Sequence, residues 1–274
     1  MSLFICPVCR ESLSDEGRLF RCTNGHCFDK SKFGYVNLLQ SRQSSAKRHG
    51  DDRLMVRARR DFLDSGAYAF LRDKICGICA EYLPSGGAFL DAGCGEGYYA
   101  SGIKNFCAAE EIKTDFYGVD ISKDALEYLS KRKSDVTCAV ASLFNLPFAD
   151  ETFDCVLNIF SPEAFEEFRR VLKKGGYLIR VIPCEKHLFE LKAAIYDKPY
   201  LNEMPPESIE GFECVETIRT KNALHLSSNE EIQNLFKMTP YYYKTGVDDQ
   251  NKLSRLGSLE TGAEFEIRIY RKDF

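Results

Sequence analysis

A glycine-rich stretch in the first half of the chain has the residue types of a ligand-binding turn. Residues 89–97 read Phe-Leu-Asp-Ala-Gly-Cys-Gly-Glu-Gly, in which an apolar run ends at Asp91. Glycines then alternate at Gly93, Gly95 and Gly97. Glycine adopts backbone conformations that other residues rarely reach, and it has no Cβ to block a ligand. Because a helix-compatible segment follows, the stretch predicts a nucleotide-like binding site at the end of a strand.

The spacing of these glycines distinguishes the turn from other nucleotide-binding motifs. It reads G-x-G-x-G, unlike the G-x-G-x-x-G of dinucleotide sites, and no Lys-Ser or Lys-Thr follows, which excludes a P-loop. It resembles motif I of the class I S-adenosylmethionine methyltransferases. A second apolar run, 116–119, leads to Asp120, and an acid at about this distance accepts ribose hydroxyls. The alternative role for Asp120 is to cap a helix that starts near Ser122.

A second cluster at the N-terminus has the spacing of a metal site. Cys6 and Cys9 are separated by two residues, and Cys22 is followed by His26 and Cys27. Two such pairs about a dozen residues apart can complete the tetrahedron of a structural zinc ion. A segment of about 30 residues cannot bury a sufficient core alone, so a metal would stabilise it. Either His26 or Cys27 could be the fourth ligand, and the alternative is a set of unligated thiols.

The remaining cysteines and the apolar runs predict a reduced, cytoplasmic protein. Eight cysteines lie at or beyond Cys76, scattered through apolar segments, and are expected to be core residues. Cys76 and Cys79 could form a metal or redox pair, but a helical packing role is favoured because no second pair is near. No apolar run reaches the roughly 18 residues that span a bilayer, and the N-terminal apolar stretch is too short for a signal peptide.

Basic residues concentrate in one segment of an otherwise acidic chain. The net charge is −4, yet residues 30–60 hold nine Lys and Arg against two Asp. Such a stretch suggests contact with a polyanion, and the alternative is a solvated linker. The candidate RNA-binding residues are Lys47, Arg48, Arg57, Arg59 and Arg60.

Strand and helix patterns alternate through most of the chain. Predicted strands cover 88–92, 116–120, 137–141, 154–159 and 177–182, and predicted helices cover 98–107, 123–133, 163–172 and 187–196. A helical pattern precedes them over 56–83, and strict alternation over 264–271 predicts a late antiparallel strand. The pattern predicts an α/β fold with a mainly parallel sheet and helices on both faces.

In such sheets a ligand lies beyond the carboxyl ends of the strands. The rule adds Ser142 to the candidate ligand contacts and selects the strand end over 158–162 for catalysis. Phe160 could stack on a base, and Asn158 or carbonyl groups near Pro162 could hydrogen-bond it. The alternative is an ordinary strand end. His187 also falls on this side, either touching a ligand carboxylate or the substrate, or starting a helix without a chemical role.

These motifs together resemble a specific family. The matching residues are Cys6-Pro-x-Cys9, Cys22, His26, Gly34-Tyr-Val-Asn-Leu-Leu39, Ala58-Arg-Arg-x-Phe-Leu-Asp-x-Gly-x-Tyr68, Leu90-Asp-Ala-Gly-Cys-Gly-Glu-Gly-Tyr-Tyr99, Leu146-Pro-Phe148, Arg170-Val171, Gly175-Gly176, His187-Leu-x-Glu-Leu-Lys192 and Met238-Thr-Pro240. Along nearly its whole length the chain resembles the bacterial 23S rRNA (guanine-N1)-methyltransferases of the RlmA type.

The resemblance implies a class I methyltransferase domain, an N-terminal zinc module that helps to bind rRNA, and a homodimer. It implies cofactor contacts at Tyr68, Gly95, Glu96 and His187, beside the motif residues Asp91, Gly93, Gly97 and Asp120. It implies zinc ligands at Cys6, Cys9, Cys22 and His26. Ser142 stands where many methyltransferases have an acid that contacts adenine. The expected division is a zinc module over 1–39, a basic linker over 40–60, and a methyltransferase domain over 61–274 with an insertion around 197–240.

The expected reaction transfers the methyl group of S-adenosylmethionine to N1 of a guanine in a 23S rRNA hairpin loop. N1 lies on the Watson–Crick edge, so the base must be unpaired or extruded from its stack. Asn158, carbonyl groups over 160–162 and His187 are candidate helpers for loss of the N1 proton. The alternatives are a small-molecule methyltransferase of the same fold, and a zinc-module RNA-binding protein whose methyltransferase domain is inactive.

Overall fold

The computed structural model describes residues 2–40 and 50–273. The strands in this part of the chain are β1 (Leu13–Asp15), β2 (Leu19–Cys22), β3 (Cys27–Asp29), β4 (Val36–Asn37), β5 (Gly87–Ala92), β6 (Thr114–Asp120), β7 (Thr137–Val140), β8 (Phe153–Ile159), β9 (Leu172–Pro183), β10 (Phe212–Leu226) and β11 (Leu259–Lys272). The helices are α1 (Arg53–Asp64), α2 (Ala69–Tyr82), α3 (Tyr98–Ala109), α4 (Lys123–Lys131), α5 (Phe165–Val171), α6 (Phe189–Ile195), α7 (Asn229–Lys237) and α8 (Val247–Leu253). None of the helices within these ranges is long and apolar enough to cross a membrane.

The strands form one large sheet and one small sheet. The large sheet has the order β10-β11-β9-β8-β5-β6-β7-β4, and its strands from β9 to β4 are parallel. β11 pairs antiparallel with β9, and β10 pairs antiparallel with β11. The predicted mainly parallel sheet with a late antiparallel strand is therefore confirmed. β1, β2 and β3 form the small antiparallel sheet of the N-terminal module.

The central strand β5 shows why the sheet forms a two-sided core. All six of its residues are buried. Side chains alternate across a strand, so Phe89 packs in the apolar cluster on one face and Leu90 in the cluster on the other. The first cluster includes residues of α2 and α3, and the second includes residues of α5. Helices on both faces are therefore confirmed.

The N-terminal module shares the second face with α5. Phe4 stacks on Phe148 with ring centroids 5.2 Å apart, and both side chains are fully buried. The Ile5 amide donates to the Pro147 carbonyl at 2.9 Å, and β4 extends the large sheet by pairing in parallel with β7. The module is therefore attached by backbone hydrogen bonds and by a common apolar core.

Some boundaries differ from the sequence expectation. Helix α1 begins at Arg53, capped by Asp52, so the last residues of the predicted basic linker are helical. β9 begins at Leu172 rather than after the glycines, because Leu172 already pairs with Phe153 of β8. The strand is then irregular around Gly175 (φ +71°), and pairing with β8 resumes at Tyr177. The predicted insertion region, 197–240, contains β10 and α7. Candidates Lys47 and Arg48 lie outside the described residues.

Candidate functional site

The glycine turn after β5 has the unusual backbone angles that its sequence predicts. Gly93, Gly95 and Gly97 all have positive φ, at +93°, +53° and +83°. A Cβ at Gly93 would lie 2.4 Å from Cβ of Ser161, so that position cannot hold a larger residue. A Cβ at Gly95 would have no atom within 4 Å among the described residues. The backbone at Gly95 thus faces open space, as expected of a turn that a ligand approaches.

Asp120, at the end of β6, is hydrogen-bonded to this turn. Its Oδ2 accepts from the Gly95 amide at 2.9 Å, and its Oδ1 accepts from the Ser122 amide at 2.8 Å. Burial raises the pKa of Asp120, and these two amides oppose that rise. The cap of α4 is Ser122, whose Oγ accepts from the Ala125 amide. Since each carboxylate oxygen has a further lone pair, Asp120 can still accept from a ligand hydroxyl.

The carboxyl ends of the parallel strands surround a cleft of about 620 Å³. This volume suits a small-molecule cofactor. The predicted site residues that line it are Tyr68, Asp91, Gly93, Gly95, Glu96, Asp120, Ser142, Phe160, Pro162, His187 and Arg59. The cleft lining does not include Gly97, Asn158, Arg57 or Arg60. Lining residues that the sequence reasoning did not select include Asp51, Tyr99, Phe144 and Tyr241. Tyr99 ends the matched segment that contains the glycine turn, and Tyr241 follows the Met-Thr-Pro match, so these two had a local signal.

Asn158 supports the cleft from beneath instead of lining it. Its side chain is 2% exposed, and Nδ2 donates to Ser161 Oγ at 2.6 Å and to the Pro162 carbonyl at 3.2 Å. Ser161 Oγ in turn donates to the Ala92 carbonyl at 2.7 Å. These bonds fix the turn after β8, where Phe160 has a φ of +50° and is 49% exposed. Asn158 is therefore a positioning residue for Phe160.

Several buried polar atoms at the cleft have no partner among the described residues. They are the hydroxyls of Tyr68 and Tyr99 and the Oε1 atom of Glu96. The other carboxylate oxygen of Glu96 pairs with Arg132. A buried polar group without a hydrogen bond is costly. Donor hydroxyls beside a free carboxylate oxygen therefore suit a ligand that carries both a negative and a positive group.

Asp91 is a buried carboxyl group in the cleft lining. It is 2% exposed, and burial, followed by repulsion from Asp120, raises its pKa to about 8. A cation placed beside the carboxyl would favour its ionised form and lower that pKa. Asp91 can therefore ionise when a cation binds beside it.

His187 is a neutral hydrogen-bond donor in this site. Its Nδ1 lies 3.1 Å from the Glu264 amide and accepts from it, so the ring proton is assigned to Nε2. Burial, followed by the positive charge of Lys192, lowers the pKa of His187 to about 3. The ring packs on Phe265 with centroids 4.5 Å apart. His187 can therefore donate to a ligand, and it is a weak base.

The free energy of unfolding of the original protein should depend on pH through His187, and we expect the His187→Asn variant to lose this dependence. The unfolded chain takes up a proton at His187 below about pH 6.5, whereas the folded protein does so only near pH 3. The stability from this group is therefore lost as pH falls between those values. Urea unfolding should show that the original-minus-variant difference in unfolding free energy falls by about 2 kcal/mol from pH 7 to pH 5.

Asparagine can still accept from the Glu264 amide, so the comparison isolates the titration. Asn222→Ala is the matched control, because Asn222 is an exposed position on β10 with a side chain that does not titrate. Its difference in unfolding free energy should not change with pH. A constant difference for His187→Asn would contradict a buried neutral imidazole.

Arg59 lies apart from its neighbours Arg57 and Arg60. It forms an ion pair with Asp51, and its Nη2 donates to the Met238 carbonyl at 3.3 Å across the cleft wall. The side chain of Arg57 is 73% exposed and points away from the cleft lining. Consecutive residues of a helix are about 100° apart around its axis. Arg57 and Arg59, two residues apart, therefore lie on nearly opposite sides of α1.

The N-terminal cluster has the dimensions of a zinc site. The ligand atoms of Cys6, Cys9, Cys22 and His26 all lie within 4.8 Å of one another. The Cys9 and Cys22 sulfurs are 3.7 Å apart, and a tetrahedral ion with Zn–S bonds of about 2.3 Å separates its sulfurs by roughly 3.8 Å. Cys27 is exposed, and its sulfur faces the Gly25 carbonyl. The cluster therefore fits a closed, structural zinc ion.

Comparisons with known proteins match both the N-terminal module and the large parallel sheet. Residues 4–47 match the family model described as RlmA, N-terminal, and residues 90–180 match the one described as Methyltransferase domain. YxjB of Bacillus subtilis, provisionally named a 23S rRNA (guanine-N1)-methyltransferase, is 32% identical over 286 residues, covering 99% of this chain and 98% of that protein. The 23S rRNA (guanine(748)-N(1))-methyltransferase of Streptomyces fradiae is 36% identical over 194 residues, covering 69% of this chain and 66% of that protein.

A solved structure supports the fold. The crystal structure of a provisionally assigned methyltransferase from Bacillus halodurans superposes with a TM-score of 0.50 at 16% identity, covering 74% of this chain and 99% of that chain. At this identity the likeness concerns the fold alone. The family assignment rests on the relative matched over its full length, on the matched N-terminal module and on the residues of the cleft. The chain belongs to the RlmA-type family of 23S rRNA (guanine-N1)-methyltransferases, S-adenosylmethionine-dependent enzymes with an N-terminal zinc-binding module.

Proposed function

We propose that this protein transfers the methyl group of S-adenosylmethionine to N1 of a guanine in a 23S rRNA hairpin loop. The observation that carries the proposal is the pairing of the cofactor-type cleft with an N-terminal zinc module, over the full length of a relative named for this reaction. Phe160 presents a half-exposed ring at the cleft, where an extruded base can stack.

The cleft residues divide the binding of the cofactor among them. Asp120 accepts from the ribose hydroxyls, and the backbone at Gly95 lies against the cofactor. The hydroxyls of Tyr68 and Tyr99 and the imidazole of His187 donate to its carboxylate. The free oxygen of Glu96 accepts from its ammonium group. Each assignment satisfies a polar atom that the described protein leaves without a partner or with spare hydrogen-bonding capacity.

The bound cofactor supplies a methyl group that its sulfonium already activates. The protein therefore mainly aligns the guanine with it, which can lower a barrier by several kcal/mol. Phe160 stacks on the base, and Asn158 fixes the turn that carries Phe160. His187 is too weak a base to take the N1 proton at neutral pH, because its pKa is about 3. Main-chain carbonyl groups over 160–162 can accept a hydrogen bond from N1–H and orient the base, and the proton that N1 loses on methylation passes to solvent water.

The remaining parts of the proposal concern the polymer substrate and assembly. The zinc module over 1–39 and the basic linker over 40–60 bind rRNA phosphates, and residues 61–274 form the methyltransferase domain with an insertion around 197–240. The protein acts as a homodimer in the cytoplasm. Gel filtration with light scattering tests the dimer directly.

The decisive experiment maps the product. Unmodified 23S rRNA is incubated with the protein and S-adenosylmethionine, and the methylated nucleotide is located by mass spectrometry of nuclease fragments. We expect one N1-methylguanosine in a hairpin loop. A modified base of another type, or salt-independent methylation of a free metabolite, would contradict the proposal. Absence of cofactor binding in calorimetry would instead indicate an inactive domain.

Charge reversal on the outer face of α1 should weaken RNA binding. The Arg57 and Arg60 side chains are 73% and 39% exposed, outside the cleft lining, and each forms an ion pair with an acid four residues later. In the Arg57→Glu/Arg60→Glu variant we expect the KM for rRNA to rise about 10- to 100-fold at low salt, because phosphate contacts are lost. The difference should shrink as salt rises, whereas the Kd for S-adenosylmethionine should stay within about twofold.

A matched control reverses two charges at the amino ends of the parallel strands, opposite the cleft. Lys113 and Lys174 are exposed and lie at the starts of β6 and β9, away from the cleft. Lys113→Glu/Lys174→Glu has the same change in net charge and should leave the KM for rRNA nearly unchanged. Equal losses in both variants would mean that net charge, not the α1 face, determines binding.

A further inference from the structure

Phe144 is the most exposed large aromatic side chain of the cleft. It lies in the short 3-10 turn after Ser142, its side chain is 66% exposed, and it belongs to the cleft lining. Phe160 is the other exposed aromatic residue in that lining. The function described above assigns a base to Phe160 and leaves Phe144 without a role. An exposed ring gains no burial energy in the free protein.

The backbone that carries Phe144 is held firmly. Ser142 Oγ accepts from the Phe144 amide at 3.2 Å. The Leu146 amide donates to Glu167 at 2.7 Å, and Arg170 donates to the Leu146 carbonyl at 3.1 Å. Arg170 and Glu167 also form an ion pair. The backbone at Phe144 is therefore held in place, which lowers the entropy lost when a partner binds to the loop.

The same loop connects the cleft with the zinc module. Ser142, at its start, lines the cleft. Pro147, near its end, accepts from the Ile5 amide of the module at 2.9 Å. Phe144 lies between these two attachment points in the chain. RNA that contacts the module and inserts one base into the cleft would thus pass this ring.

Leu143 and Phe144 point to different surroundings. Leu143 is 8% exposed, and one of its methyl carbons would lie 3.7 Å from a Cβ built on Gly93, so it packs beside the glycine turn. Phe144 is directed to solvent at the mouth of the same cleft. Leu143 therefore lies on the side of the cleft where the cofactor is proposed to bind. The ring of Phe144, at the mouth of the cleft, remains accessible to the RNA.

We propose that Phe144 is a stacking platform for the unpaired nucleobase that neighbours the target guanine in the rRNA loop. This inference rests on the proposed function and adds an RNA-binding residue to it. Every nucleobase has a π face, and stacking on an aromatic side chain contributes about 1–3 kcal/mol per base. Two exposed rings at one cleft mouth give separate positions to the extruded guanine and to its neighbour. A guanine presented alone would use Phe160 but not Phe144.

The test compares Phe144→Ala with Phe144→Trp and with a control, Phe106→Ala. Phe106 is 37% exposed on α3 and lies outside the cleft lining. For Phe144→Ala we expect the KM for 23S rRNA to rise about 5- to 100-fold, with kcat and the Kd for S-adenosylmethionine within about threefold. Phe144→Trp should restore the KM, and Phe106→Ala should leave it unchanged. Filter binding of transcribed 23S rRNA should show the same order of affinities.

Each other result overturns the inference. An unchanged KM and unchanged filter binding for Phe144→Ala mean that no base stacks there, and the proposed function would still stand if N1-methylguanosine is formed. A raised Kd for S-adenosylmethionine means that the ring covers the cofactor. A change of molar mass in light scattering means that the ring joins two copies of the chain. If the unaltered protein forms no N1-methylguanosine, the proposed function fails and the inference, which rests on it, fails with it.

Discussion

The Cys6→Ser variant is expected to lose its zinc and to unfold the N-terminal module. The apparent binding free energy of structural zinc is about 10–16 kcal/mol, and in so small a segment this is folding free energy. The sheet of β1, β2 and β3 has only short strands, and few of its side chains are buried. Atomic absorption should find less than one zinc in ten chains. Hydrogen exchange should show loss of protection over 2–40.

The loss of the module should spread to the methyltransferase domain. Phe4 lies edge-on to Tyr117 and stacks on Phe148, so unfolding the module exposes the apolar face of the sheet. We expect the main thermal transition to fall by more than about 10 °C, since several kcal/mol of burial is lost from a domain of this size.

Cys27→Ser is the matched control for Cys6→Ser. The Cys27 thiol is exposed and lies outside the cluster that holds His26. This variant should keep one zinc per chain and the original thermal transition. Full zinc content in Cys6→Ser, or zinc loss in Cys27→Ser with zinc retained in His26→Ala, would contradict the proposed ligand set.

Replacing Asp120 by alanine is expected to abolish most cofactor binding. The carboxylate accepts from the Gly95 and Ser122 amides, so its removal frees the glycine turn and also removes the acceptor for the ribose. Each hydrogen bond to a charged group contributes about 1.5–3 kcal/mol. We therefore expect the Kd for S-adenosylmethionine to rise at least about 100-fold in calorimetry.

Asp115→Ala is the control on the same strand. Asp115 is exposed near the amino end of β6, whereas Asp120 ends the strand at the cleft. Removal of the Asp115 carboxylate should leave the Kd nearly unchanged. In the original protein, binding should also weaken in acid, because burial raises the pKa of Asp120 and the protonated form accepts fewer hydrogen bonds. A Kd for Asp120→Ala within threefold of the original would reject the ribose role.

The parallel sheet, the glycine turn and the metal cluster were all readable from local patterns. Short apolar runs mark the parallel strands, strict alternation marks the last strand, and the glycines of the turn lie within one short segment, 93–97. The cysteine spacing encodes two metal-binding pairs without knowledge of the fold. β10 was missed because it is an edge strand with mostly exposed, polar side chains, which leaves a weak apolar pattern.

The sequence by itself determined the types of chemistry: a backbone turn for a cofactor, an acid beyond the next strand, and sulfur and imidazole ligands for zinc. Only the tertiary structure decided which side chains meet. It placed Arg59 in the cleft and Arg57 outside it, left Cys27 away from the metal cluster, and buried His187 so that it stays neutral. Contacts between distant residues, and the desolvation that follows them, depend on how elements pack, and no local spacing records that.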